Sequence, residues 1–343
     1  MQRKLSFQTA LKRQNKKVTK RLITFFIFTR FICLYLKLEH TLFFYQLCFL
    51  FFSEAYGKEL NIVTTGFPQY DLVRHIVGEH SKVKILLKPG ADSHSFEPSP
   101  NDIISIMNSD LFVFNGGEND EWIENLLKSS DKKIRHFAFT DKVKLREEEE
   151  KEGMEKEKDE ACHDSDEVEY DEHVWTSPLN DEKLIKLLAD EIIKLDPDNK
   201  DAYRKNADLY IKDFKELDGE IRNIIKDSNK SVLIFGDRFP LLYFVKDYSL
   251  DYFAAFKGCS DDSEVSPATI RFLIDKAREN KSKTILKIEL TSDSIANTVA
   301  QAVDANVAVF NTGHNVTKEQ FKNNESLISL FRSNLPVLKK ALQ

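Results

Sequence analysis

The stretch 196-DPDNKDAYRKNADLYIKDFKELDGEIRNIIKD-227 decides the fold. Within it Tyr203, Ala207, Tyr210, Phe214, Leu217, Ile221 and Ile224 recur at alternating steps of four and three. That spacing lays one apolar stripe along one side of a single helix. About thirty residues at 1.5 Å each make a rod of about 45 Å, as wide as a domain or wider. In a chain of 343 residues, long enough for about two domains, such a rod can serve as the backbone of both. The rival reading is a coiled-coil dimer. Sustained coiled coils run longer, so a monomer is expected.

Outward from this helix the pattern is the same on both sides. Before it, the apolar runs ELNIVTT, KVKILL, DLFVFNG and KIRHFAF read as strands. The helical segments PQYDLVRHIVGE, SPNDIISIMNS and ENDEWIENLLK lie between them. After it, SVLIFGD, LDYFAAF, KTILKIE and NVAVFNT alternate with FPLLYFVKDY, SPATIRFLIDKAREN, SIANTVAQAV and the terminal ESLISLFRSNLPVLKKALQ. Ser99-Pro100 and Ser266-Pro267 are helix starts, with proline at the first helical position. Alternation of this kind predicts mainly parallel sheets with helices on their faces. The expected architecture is α/β: two α/β lobes bridged by one long rigid helix. Residues 58–195 form the N-terminal lobe, 196–228 the linking helix and 229–343 the C-terminal lobe.

Two segments break the pattern. Residues 1–57 begin with a basic run, continue through two apolar runs (22–36 and 41–52) and end near Ala55 and Gly57. Neither run reaches the roughly 20 apolar residues of a span. The layout is that of a secretory signal, with a retained N-terminal membrane anchor as the alternative. Either way the functional part is expected outside the cytoplasmic membrane. Residues 146–173, REEEEKEGMEKEKDEACHDSDEVEYDEH, are nearly all charged and read as a mobile solvated loop.

The net charge of −6 and the lack of a basic stripe argue against nucleic acid. The four cysteines form no C-x-x-C pair, so neither a disulfide framework nor a zinc ribbon is indicated. Eight histidines remain to be explained. His75 and His80 fit positions on or near a surface helix, and His136 fits a strand face. His94 lies in GADSHSFEPSP (90–100), His173 in DEHVWTSP and His314 in NTGHNVT. These loops follow strand ends or the acidic tract. In α/β sheets, sites form beyond the carboxyl ends of strands. Neutral imidazoles are common zinc ligands, and three of them with a carboxylate or water complete a tetrahedral site. Asp237, after SVLIF, is either such a carboxylate or a structural group pairing with Arg238. From spacing alone the metal signal is weak.

GADSHSFEPSPNDI, NGGENDEWIENLL, DEHVWTSPLN and the long helix resemble the cluster A-I zinc and manganese receptors of bacterial ABC importers. So do FGDRFPLLYFVKDYSLDYFAAF, EVSPATI, FNTGHNVTKEQ and the ending SLFRSNLPVLKKAL. The resemblance covers residues 58–343. It implies a zinc receptor, with manganese as the alternative metal, that holds its cargo between two lobes and delivers it to an ABC permease. No covalent chemistry is implied. The rival classes are a metal-stabilised adhesin and a zinc hydrolase. Residue by residue, the resemblance makes His94 the first histidine ligand and His173 the second. His314 stands where zinc receptors of the family often carry a glutamate or aspartate. Gly236 stands where many carry a ligand histidine. The fourth contact is then Asp237, Glu289 or water, with Cys259 as a softer alternative. The acidic tract, with His163 and Cys162, stands where relatives carry a metal-gathering loop. Three imidazoles favour zinc over manganese. Because both lobes share one rod, release is expected through local loop movement.

Overall fold

The computed structural model describes residues 59–91, 96–130, 133–155, 168–258 and 265–343. The signal or anchor segment, His94, Cys162, His163 and Cys259 lie outside the described residues. The N-terminal half begins with β1 (Leu60–Thr64), α1 (Phe67–Val77), β2 (Ser81–Ile85) and α2 (Pro100–Met107). It continues through β3 (Leu111–Phe114), α3 (Glu121–Ser129), β4 (His136–Ala138) and α4 (Pro178–Leu195). The strands form one parallel sheet in the order β2-β1-β3-β4. All four residues of β3 are buried, as expected of a parallel strand covered on both faces. Ser99 caps α2, its hydroxyl accepting from the Asp102 N–H at 3.3 Å, and Pro100 occupies the first turn.

The linking helix α5 spans Lys200–Lys226, which is 27 residues or about 40 Å. A 3-10 turn at Pro197–Asn199 precedes it. Tyr203, Ala207, Tyr210, Phe214, Leu217 and Ile221 are buried along it, and Ile224 packs at the margin of the same core.

The C-terminal half repeats the plan with β5 (Val232–Ile234), α6 (Leu242–Asp247), β6 (Asp251–Phe253) and α7 (Pro267–Glu279). It ends with β7 (Thr284–Lys287), α8 (Ser294–Val303), β8 (Asn306–Val309), α9 (Lys318–Lys322) and α10 (Leu327–Ala341). Strands β5-β6 and β7-β8 pair in parallel, and a parallel bridge between Phe235 and Leu286 joins the two pairs. The resulting order, β6-β5-β7-β8, mirrors that of the first half. Helix α5 packs on α1 and α4 from one half and on α10 from the other. A single apolar core therefore runs beneath it, from Leu72 and Ile76 through Tyr203 and Phe214 to Phe244 and Phe331.

The expectation of a mobile solvated loop over 146–173 needs correction at both ends. Glu147 bridges Tyr170 in antiparallel fashion, and the N–H of Asp171 donates to the Arg146 carbonyl at 2.9 Å. Met154 is buried in the core, and the Glu155 carboxylate accepts from the Ser266 N–H and the Thr269 hydroxyl. The few apolar groups and the backbone at both ends of the tract find partners, so a packed stem leads into and out of it.

Candidate metal centre

His173 and His314 meet. The chain reaches His173 from the stem of the acidic tract, just ahead of a 3-10 turn at Val174–Thr176 that leads into α4. His314 lies between β8 and α9. The two imidazole centroids are 5.3 Å apart at an interplanar angle of 75°. The Trp175 ring stands 5.4 Å from His173 and 5.2 Å from His314. All three line an open cavity with Gln69, Asp120 and Glu172.

His173 is 2 % exposed and is held by Asp171. One oxygen of Asp171 accepts the backbone N–H of His173 at 2.7 Å and faces the ring Nδ1 at 3.2 Å. A carboxylate on Nδ1 makes that nitrogen the protonated one and leaves Nε2 as the ligand atom. Burial disfavours the imidazolium. The carboxylates of Asp171, Glu172 and Glu148 outweigh it, and the pKa of His173 is raised. Gly258 abuts the same ring: a Cβ there would lie 3.3 Å from Cε1.

Two further carboxylates lie in the cavity, in stretches that carry the resemblance but to which the sequence reading gave no ligand role. Asp120 accepts the N–H groups of Asn115 and Gly116 at 3.0 and 2.9 Å, and burial together with nearby Glu172 lifts its pKa to about 6. Glu172 packs over Gly117, where a Cβ would come within 2.3 Å of its carboxyl carbon. Gly117 also has φ of 97°, so glycine is required there twice over.

The structure places Asp237 and Glu289 differently from the histidines. The Asp237 carboxylate accepts the N–H of Arg238 at 2.9 Å, the N–H of Ile288 at 3.1 Å and the Thr291 hydroxyl. It ties the end of β5 to the end of β7. Glu289 accepts the Thr312 N–H at 2.7 Å, the Thr312 hydroxyl at 2.8 Å and the His314 N–H at 3.1 Å. It holds the backbone of the loop that presents His314. Burial raises the pKa of Glu289 against these lowering hydrogen bonds. Neither residue lines the cavity. At Gly236 a Cβ would meet the Cα of Ala296 at 2.5 Å and its nitrogen at 2.7 Å. Helix α8 closes the position that the resemblance assigns to a histidine. Among the described residues, no group of three or more His, Cys, Asp or Glu is arranged to hold a metal ion.

The other histidines among the described residues are accounted for. His75 Nδ1 lies 2.7 Å from the Asp71 carbonyl oxygen and its ring stacks on Tyr210 at 4.0 Å. His80 meets Tyr203 edge-on, and His136 sits in β4.

A family model described as the periplasmic zinc-uptake complex component A matches residues 62–341. The chain belongs to that family. Its relatives include the high-affinity zinc uptake system protein ZnuA of Bacillus subtilis (strain 168), 32 % identical over 298 residues, which cover 84 % of this chain and 90 % of that one. The zinc-binding lipoprotein AdcA of Streptococcus pneumoniae (strain ATCC BAA-255 / R6) is 31 % identical over 303 residues, 86 % of this chain but 59 % of that longer protein. The crystal structure of the Zn(II)-bound ZnuA-like domain of S. pneumoniae AdcA superposes with a TM-score of 0.68 at 27 % identity, covering 83 % of this chain and 99 % of the domain. The family is one of metal-binding receptors that serve zinc uptake from outside the cytoplasm, and the chain is not an enzyme. Among the described residues, no helix is long and apolar enough to cross a membrane.

Proposed function

We propose that His94, His173 and His314 bind one zinc ion between the two lobes, and that the chain hands this ion to the permease of an ABC importer. The observation that carries the reading is the convergence of His173 and His314, 141 positions apart in sequence, at a ring separation of 5.3 Å on one cavity. Asp171 prepares His173 for ligation by holding Nδ1. His94 precedes the Phe96 that lines the same cavity. Three imidazoles suit zinc better than manganese. The fourth position belongs to water or to a cavity carboxylate, since Asp237 and Glu289 spend their oxygens on backbone and hydroxyl donors. The receptor acts as a monomer and stays at the membrane through its N-terminus or the permease. Residues 156–167, with Cys162 and His163, gather metal by their negative charge.

The test is competitive binding on chelator-stripped full-length protein offered zinc and manganese together. Wild type should take up one zinc per chain, reversibly. His173→Ala and His314→Ala should each bind zinc at least tenfold more weakly. Preference for manganese, or zinc binding indifferent to both substitutions, would overturn the ligand set.

A further inference from the structure

The loop that carries His314 is fastened to the N-terminal lobe on both sides of the histidine. On one side, the Thr312 carbonyl accepts the indole N–H of Trp175 at 3.1 Å. Thr312 is fully buried, and its N–H and hydroxyl are anchored on Glu289. On the other side, the side-chain amide of Asn315 donates to the carbonyls of Lys88 and Ala91, at 3.1 and 2.6 Å. Its own oxygen accepts the Val316 N–H at 2.8 Å, which fixes the orientation of the amide. Asn315 itself is buried, 5 % exposed, while the Lys88 and Ala91 that accept from it stand at the surface. Gly313, with φ of 73°, makes the turn between the two attachments, and a Cβ there would run into Leu327 at 2.2 Å.

These contacts join chain segments that sequence separates widely. Trp175 lies two residues after His173, and Ala91 three residues before His94. One short loop of the C-terminal lobe thus grips the segments of the N-terminal lobe next to the other two histidines. We propose that Asn315 and Trp175 are positioning residues that clasp the His314 loop to the N-terminal lobe, and that opening this clasp sets the rate at which zinc leaves. The inference rests on the reading of His314 as a ligand. It adds a gate made of three hydrogen bonds, two from Asn315 and one from Trp175. With the clasp shut, the backbone on both sides of His314 is fixed and its ring stands 5.2 Å from the Trp175 ring.

The experiment is chelator-driven zinc release, followed by stopped flow, from the zinc-loaded full-length chain in mild detergent. Asn315→Ala adds no charge beside the site and has no N–H to give to Lys88 and Ala91. Release should quicken about five- to a hundredfold for the two lost bonds. Trp175→Phe keeps a ring beside His314 and loses the indole N–H together with one of the two fused rings, so release should quicken at least about two- to tenfold. In both, the stoichiometry of one zinc per chain should stay at the wild-type value, and in the Asn315 variant the association rate should too, a split that general loss of structure would not give. Wild-type release rates in both variants would overturn the clasp, and so would acceleration in only one. His314→Ala run alongside separates the two ideas. Wild-type zinc affinity in that variant would reject the ligand reading, while the release rates of the other two would still decide the clasp.

Discussion

Asp171→Asn isolates the group that prepares His173. The substitution keeps the shape and the oxygen that accepts the His173 backbone N–H, and it removes the charge 3.2 Å from Nδ1. Carboxylates behind ligand histidines are worth roughly 10- to 100-fold in metal affinity, or about 1.4–2.7 kcal/mol. A loss of that size is expected at pH 7.5. The second consequence concerns protons. Zinc needs the neutral imidazole, and in the wild type the pKa of His173 is raised above 6.5, so protons begin to compete with zinc above that pH. Burial is the largest influence on this group and opposes the charge; Asp171 is the largest of those favouring it. Without Asp171, burial gains on what remains, and the pKa moves down. Zinc affinity in the variant should therefore start lower but fall later on acidification, and the two curves should approach each other as the pH falls. In the metal-free protein the sign is also fixed. A raised folded pKa contributes stability that is full below about pH 6.5 and is lost as pH rises through the folded value. The variant should accordingly lose more melting temperature at pH 5.5 than at pH 8.5. Zinc competition against a chromogenic chelator from pH 5.5 to 8.5, with calorimetry in buffers of different ionisation heat to count released protons, measures all of this. Equal affinity and an unchanged pH profile would refute the reasoning.

Gly236→His should not restore a ligand: the side chain would enter the backbone of α8 at Ala296, costing about 1–3 kcal/mol or more, with no gain in zinc affinity; a tighter-binding, equally stable variant would show that α8 can yield. Asp181 is fully buried, and neither carboxyl oxygen has a hydrogen-bond partner among the described residues. Burial and nearby Asp71 hold its pKa well above the usual range, so its cost to stability grows as pH rises past about 4. Asp181→Asn should raise the melting temperature by a few degrees at pH 7.5 and by less toward pH 4, and a gain independent of pH would count against this. Removing residues 156–167 should slow zinc capture at low salt and leave equilibrium affinity intact, because the packed stem on either side is retained; capture at the wild-type rate would exclude a gathering role.

The parts of the fold that follow a period were legible in the sequence. The stripe from Tyr203 to Ile221 gave the rod, and apolar runs between turn residues gave the strands. His173 and His314 were legible as loop histidines, but only the resemblance raised them above solvated bystanders. What escaped was every interaction that a side chain makes with distant backbone. Asn315 looks like any polar loop residue, and nothing near it in sequence says that its amide serves Lys88 and Ala91, 227 and 224 positions away. Glu289 and Asp237 were legible as carboxylates near strand ends, and that is where they are. Composition cannot tell a carboxylate aimed at a cavity from one turned back onto N–H groups. The acidic tract misled for a related reason. Charge density predicts solvation on average, and one Met154 with a few backbone bonds suffices to seat its ends.

A buried junction behind the cleft argues for release by loop movement. The Asp71 carboxylate, fully buried on α1, accepts from Arg74 at 2.6 Å, from the Tyr210 hydroxyl of α5 and from the Leu327 N–H of α10 at 3.0 Å. One carboxylate thus ties the first lobe, the rod and the second lobe together, and Arg74 adds bonds to the carbonyls of Asn324 and Glu325. Swinging the lobes apart would take the Leu327 N–H from this carboxylate and the Asn324 and Glu325 carbonyls from Arg74, three hydrogen bonds to charged groups at about 1.5–3 kcal/mol each. Parting the loop at Asn315 and Trp175 breaks three hydrogen bonds, each worth about 0.5–1.5 kcal/mol net. The cheaper route opens the front of the cleft and leaves the back shut. X-ray scattering should therefore find the same radius of gyration with and without zinc, and a hinge-sized change would show that the Asp71 junction yields before the clasp does.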